Sequence, residues 1–230
     1  MQNALWMFLV VVSLGWGTEQ AAVAQIPPLQ KGVSVQMAVT NNATPMPNAD
    51  EPDAWVVAVT EGGQIYFGTQ PVDAGQLSEE MKARPRNRTA KLYIKADARV
   101  PYATVKKTLE AAKEVMFDDA VLLTKQPEAP SLGMLVPPKG FDVRLAAPAG
   151  SQPVVVAASK SEQKVPELKV NESAVSNTNL QTALNQALQK RSQKTVIVKA
   201  DPQLSFAQVV HVIDAVRSVG ANPVLVAPEM

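Results

Sequence analysis

Cysteine is absent from this chain, and there is a single histidine, His211. Without a thiol there is no disulfide framework, no cysteine nucleophile and no thiolate metal site. A zinc centre or a Ser-His-Asp triad would have to be assembled around His211, and one imidazole alone is a poor metal site. Charge is also scarce in the net: Lys and Arg number 22 against 21 Asp and Glu, leaving +1. That balance lacks the strongly basic footprint of a bulk nucleic-acid binder, so no nucleic-acid partner is expected. No Gly-rich phosphate loop, no H-E-x-x-H string and no paired carboxylates at a catalytic spacing occur. These absences predict a protein that is not an enzyme and that uses no cofactor and no metal.

What is present begins with an apolar run, ALWMFLVVVSLGWG, from Ala4 to Gly17. It is shorter than the ~20 residues of a spanning helix. Ala22-Val23-Ala24 follows with the small-x-small pattern of an export cleavage site, although no Lys or Arg precedes the apolar run. Residues 1–25 are therefore expected to be a signal peptide or a short membrane anchor. Either one places the rest of the chain in the periplasm, soluble or tethered to the inner membrane.

From Lys31 onward the chain says nearly the same thing twice. KADARVPYATV starts at Lys95, and KADPQLSFAQV starts at Lys199. Ile65, Leu77 and Met81 map onto Leu168, Leu180 and Leu184 at an offset of 103. Lys95, Asp97, Tyr102, Leu109 and Val121 map onto Lys199, Asp201, Phe206, Ile213 and Leu225 at 104. One inserted residue explains the change, and a chance match would not keep its register across four elements.

Each copy reads as strand, hairpin, short helix, strand, long helix, strand. In the first copy these are VSVQMAV, a hairpin around Gly62-Gly63, a helix with Asp73 as N-cap, KLYIKAD, the stretch 101–116, and DAVLLT. The long helix sets Tyr102, Val105, Leu109, Ala112 and Met116 on one face. FDVRLAA opens the second copy. The expected fold class is α+β, two tandem copies of a small mixed β-sheet with two helices on one face, because strand-helix-strand crossovers are right-handed. The expected domains are 31–126 and 141–230, joined by a Pro-rich linker at 127–140.

At KADARVPYATV the sequence resembles the ExbD/TolR family of biopolymer transport proteins, and VSVQMAV, EGGQIYFGTQPV and GFDVRLAAPA extend the likeness. KADPQLSF is a looser version of the same motif. The resemblance implies a periplasmic, non-catalytic component of a proton-motive-force-linked, TonB/Tol-type system. It implies an ExbB/TolQ-like channel protein or a TonB/TolA-like protein as partner, met through the sheet edges by strand addition. VSVQMAV and FDVRLAA are the expected edge or swapped strands. The family's function also rests on an Asp in its transmembrane helix, and Ala4–Gly17 contains no ionisable residue to take that place. Members of the family pair as homodimers, so tandem copies are expected to form an intramolecular pseudo-dimer, or else a homodimer. Lys106, Lys107 and Thr108 become Val210, His211 and Val212 in the second copy, widening the apolar arc of its long helix.

The motif residues Lys95, Ala96, Asp97, Pro101, Tyr102, Lys199, Ala200, Asp201 and Phe206 read as structural, with each Asp placed to accept backbone N–H groups near a helix start. The run KARPRNRTAK concentrates Lys82, Arg84, Arg86, Arg88 and Lys91. Its plainest reading is a solvated loop, and its functional one is contact with a partner or an anionic polymer. A stand-alone module that binds peptidoglycan or another envelope polymer is the rival functional class.

Overall fold

A computed structural model describes residues 33–87, 89–125, 137–147, 153–163 and 165–225. The N-terminal apolar run, most of the expected linker and Arg88 lie outside the described residues. The first copy supplies β1 (Thr44–Pro45), β2 (Trp55–Val59), β3 (Ile65–Phe67), β4 (Gln70–Val72), α1 (Leu77–Ala83), β5 (Leu92–Ala96), α2 (Tyr102–Glu114) and β6 (Asp119–Thr124). The second supplies β7 (Lys139–Arg144), β8 (Val154–Ser159), β9 (Glu167–Val170), β10 (Ser173–Val175), α3 (Leu180–Leu188), β11 (Thr195–Ala200), α4 (Phe206–Ser218) and β12 (Asn222–Leu225).

The two sheets merge into one. Its order is β10-β9-β8-β11-β12-β7-β6-β5-β2-β3-β4, with β1 pairing β7 beside this path. Strand β7 is the joint: it runs antiparallel to β6 over its whole length and parallel to β12 at Val224–Arg144. FDVRLAA is thus a central strand shared by both copies and not an edge. It begins at Lys139, inside the stretch expected to be linker.

VSVQMAV is no strand at all. With β5 on one side of β6 and β7 on the other, neither flank of β6 is open to it. The segment is held instead at two points. The Gln36 carbonyl accepts from Ala98 N–H at 2.8 Å in the turn after β5. At the end of β6, Lys125 N–H donates to the Ala38 carbonyl and Thr40 N–H to the Lys125 carbonyl, both at 2.9 Å.

All four helices lie on one face. Val57, Val59, Leu92, Ile94 and Leu122 of the first copy, and Val154, Val156, Val196 and Val198 of the second, share one buried core with the helices' apolar stripes. Tyr93, Val121 and Leu123 point to the opposite face, where Met46 and Ala49 from the loop before β2 cover them. The consecutive burial of Leu92, Tyr93 and Ile94 follows from cover on both sides.

Two helix details depart from expectation. α1 starts at Leu77 with Gln76 in the capping position, because residues 73–76 first make a turn closed by Gln76 N–H donating to the Asp73 carbonyl. α2 stops at Glu114, and Met116 leaves the apolar face at φ 63° with 80% of its surface exposed.

Around the joint the chain has a local two-fold relation. Tyr102 N–H donates to the Leu204 carbonyl at 2.7 Å, and its counterpart Phe206 N–H donates to the Val100 carbonyl at 2.8 Å. Ala103 N–H to the Pro202 carbonyl and Ala207 N–H to the Ala98 carbonyl repeat the exchange, both at 2.9 Å. Pro101 and Ser205, facing each other, sit on the axis. These bonds satisfy N–H groups that a helix N-terminus leaves orphaned. α2 has no side-chain cap and depends on them, whereas α4 adds a capping box between Ser205 and Gln208.

Candidate functional site

The motif aspartates sit where β5 and β11 turn toward the axis. Asp97 is 3% exposed and accepts from the backbone N–H of Gln36 (3.0 Å) and Arg99 (3.1 Å), and from the Arg99 guanidinium at 2.9 and 3.0 Å. The Arg99 side chain above all, and then these N–H groups, hold its carboxyl down at about 2 against the opposing effect of burial. Arg99 also pairs with Glu61 at 3.0 Å. Asp201 accepts the Gln203 N–H at 2.8 Å, the same two-residue turn, and among the described residues has only the Lys160 N–H at 3.4 Å besides. Both carboxylates fasten the turn ahead of the helix and do not cap the helix itself.

Ala96, Tyr102 and Phe206 are core residues, and burial pushes the Tyr102 phenol far above its ordinary range. Pro101 is exposed, Ala200 half-buried and Lys199 exposed on the face opposite the helices. Lys95, at the position matching Lys199, is drawn down by burial under the loop that carries Asp50, whose charge opposes the shift. His211 is exposed on α4. Among the described residues no three His, Cys, Asp or Glu converge as metal ligands.

The described members of the basic run divide between two places: Lys82, Arg84 and Arg86 border one groove, and Lys91 turns toward the second copy. Lys82 pairs with Glu79 at 2.7 Å. Lys91 crosses to Asp142 on β7 at 2.6 Å, a bond that raises its pKa and ties the first copy to the second. Arg84 stacks over Trp55 (5.1 Å to the ring centroid) and Phe67 (5.5 Å) and donates to the Asp53 carbonyl. Arg86 lies 4.1 Å over Phe117 and donates to the Met116 carbonyl.

Sequence reasoning missed one anchor between the copies, Asp214 on α4. It is 8% exposed and accepts from Asn41 N–H (3.2 Å), Asn42 N–H (2.9 Å) and Asn42 Nδ2 (3.1 Å), holding the first copy's chain to the second copy's helix. An acid between Ile213 and Ala215 in the mostly apolar VVHVIDAV was the available signal.

Among the described residues the merged sheet ends at β4 and β10. Each closes a two-residue hairpin, with Gly68 at φ 63° and with Asn171 and Glu172 at 46° and 74°. In such hairpins the pair next to the turn is hydrogen-bonded and the following pair points its backbone groups outward. Those following residues are Pro71 opposite Tyr66 and Ala174 opposite Lys169. Pro71 therefore removes an outward donor from β4, while Ala174 leaves the β10 edge open. Beside β10 lies a groove of about 850 Å³ lined in part by Lys160, Val165, Leu168, Ala174 and Val175.

The family model of biopolymer transport protein ExbD/TolR matches residues 4–127 and again 131–229. The chain belongs to the ExbD/TolR family. Two successive matches agree with tandem copies, and the mixed sheet with its helices is the fold expected of the family's periplasmic domain. Members of this family are envelope-associated, non-enzymatic accessories of biopolymer transport. No curated protein matches the chain. No helix among the described residues is long and apolar enough to cross a membrane.

Proposed function

We propose that this ExbD/TolR-family chain is a non-catalytic periplasmic component of a proton-motive-force-linked transport or envelope system. Its second copy engages a TonB/TolA-like or ExbB/TolQ-like partner by accepting an extended segment at the β10 edge. The observation that carries the reading is the difference between the outer edges: Pro71 blunts β4, and Ala174 at the matching position leaves β10 able to pair. The groove alongside β10 offers room for the side chains of an added strand. The two-fold ladder between residues 98–103 and 202–207 supports a further element, that one chain forms the paired unit by itself.

The test is a pulldown of the partner proteins by the full chain and by Ala174→Pro, which removes the outward donor and spares the bonds to β9. The expected result is capture by the parent and at least tenfold less by the variant, at unchanged thermal stability. Equal capture by both would overturn the edge as the binding element.

A further inference from the structure

The corner between α1, the end of α2 and β2 is built from unusual material in the first copy and from ordinary material in the second. Trp55, Phe67 and Phe117 meet there, with ring centroids 5.3 and 5.8 Å from Trp55, and Arg84 and Arg86 lie over them. Strand pairing places Val154 at the position of Trp55, since Val57 beside Ile94 corresponds to Val156 beside Val198. The repeat register gives Val170 for Phe67 and Ala221 for Phe117, and, counted from Met81 and Leu184, Ala187 and Gln189 for the two arginines. Val154, Val170 and Ala221 are all buried. The same fold closes this corner with small side chains, so the rings and guanidiniums of the first copy are not demanded by folding.

Met116 makes the same point through the backbone. It occupies the left-handed position after α2 at φ 63°, where the second copy has Gly220 at φ 70°. Glycine is the residue suited to that conformation, and a side chain with a Cβ is strained in it. The strained residue is also 80% exposed, so packing does not account for its retention.

At this corner opens a groove of about 460 Å³, lined by Trp55, Arg84, Arg86, Glu114, Val115 and Met116 among others. Among the described residues neither Arg84 nor Arg86 has a carboxylate partner. Their recorded bonds go to the carbonyls of Asp53 and Met116. Lys82, on the same rim, is already paired with Glu79. Stacking on aromatic rings fixes the planar guanidiniums, whose remaining N–H groups match carboxylates in a bidentate fork. Met116 and Val115 supply an adaptable apolar lip.

We propose that this groove docks an acidic segment of a partner polypeptide, with its carboxylates on Arg84 and Arg86 and an adjoining apolar side chain against Met116. Charge complementarity selects the occupant: with Lys82 paired to Glu79, the two guanidiniums face Glu114 as the one acid among the described lining residues. A concave site with two fixed forks differs from the clusters of ~4–8 flexible basic side chains that gather on anionic lipid. This surface is remote in the sheet order from the β10 edge and does not depend on strand addition there.

The test is fluorescence anisotropy of the full chain with a labelled peptide alternating glutamate and leucine, against a glutamine–leucine control. Binding of the acidic peptide alone is expected, weakening as salt rises. Arg84→Gln with Arg86→Gln should weaken it at least tenfold, and Lys190→Gln, an exposed charge on the second copy, should leave it unchanged. Met116→Gly separates recognition from folding: it should melt no lower than the parent yet bind several-fold more weakly. Equal binding of the two peptides, or undiminished binding by the double variant or by Met116→Gly, would overturn the proposal. So would arginine-dependent sedimentation with anionic vesicles or cell-wall sacculi in the absence of peptide binding.

Discussion

Replacing Asp97 with Asn removes a charge and leaves a side chain of nearly the same shape. In the folded chain the carboxyl titrates at about 2 against 3.8 for the free group, chiefly because the Arg99 guanidinium bonds it. At 1.36 kcal/mol per pKa unit that shift corresponds to about 2 kcal/mol at neutral pH. Arg99 is half exposed, and solvent screens its contribution, so about 1–2 kcal/mol is the working figure. The folded value is depressed, so the stabilisation is present above the unfolded value and is lost as pH falls through the folded one. About half of it should be gone near pH 3. The assay is urea unfolding of the parent and Asp97→Asn at pH 7 and at steps down to pH 2.5, comparing midpoints at a common slope. The gap should be widest at pH 7 and should close steadily below about pH 4.5. A gap that stays constant to pH 2.5 would refute the electrostatic reasoning. The loss would then belong to the hydrogen-bond geometry of the turn.

Other changes test the joint between the copies. Asp214→Ala removes the acceptor of Asn41 N–H and Asn42 N–H, which water can partly replace at these exposed residues, and should cost about 1–2 kcal/mol in urea unfolding. Faster proteolytic cleavage within residues 40–54 should accompany it. Gly140→Ala would place a Cβ 2.6 Å from the Leu122 carbonyl oxygen and 2.9 Å from Val121 Cγ1, between strands with no slack. It should destabilise by about 1–3 kcal/mol and lower the melting temperature by several degrees. A melt unchanged from the parent would contradict β7 as the strand that joins the sheets.

Much of the fold was legible because periodicity and register are local properties of the chain. The hairpin at Gly62-Gly63, the stripe Leu180, Leu184 and Leu188, and the 104-residue offset each lie within a short stretch or repeat across it. The pairing of β7 was not legible. Alternating apolar residues say that Phe141 and Val143 are buried, but not whether β6 or β12 lies beside them. Met116 was misplaced because spacing by four continues past the residue where the backbone turns left-handed. The arginine run looked like one feature since its members are close in sequence. In space Arg84 and Arg86 go to rings from residues 55, 67 and 117, while Lys91 goes to the other copy.

A tandem chain also escapes a constraint that symmetry places on a homodimer. In an isologous pair every substitution appears twice, once on each side of the axis. Here the axis is kept where both halves need the same thing, at Pro101 and Ser205 and in the reciprocal bonds of Tyr102 and Phe206. Away from it the halves differ. Asp214 anchors the first copy's chain, while Glu110 stands at its matching position; Pro71 blunts one edge and Ala174 leaves the other open. Arg84, Arg86 and Met116 face Ala187, Gln189 and Gly220 at their matching positions. A homodimer would carry each of these features in duplicate, with two acidic-segment grooves and two identical edges. Covalent linkage allows one half to specialise in each task, so the proposed surfaces should each bind with a stoichiometry of one per chain.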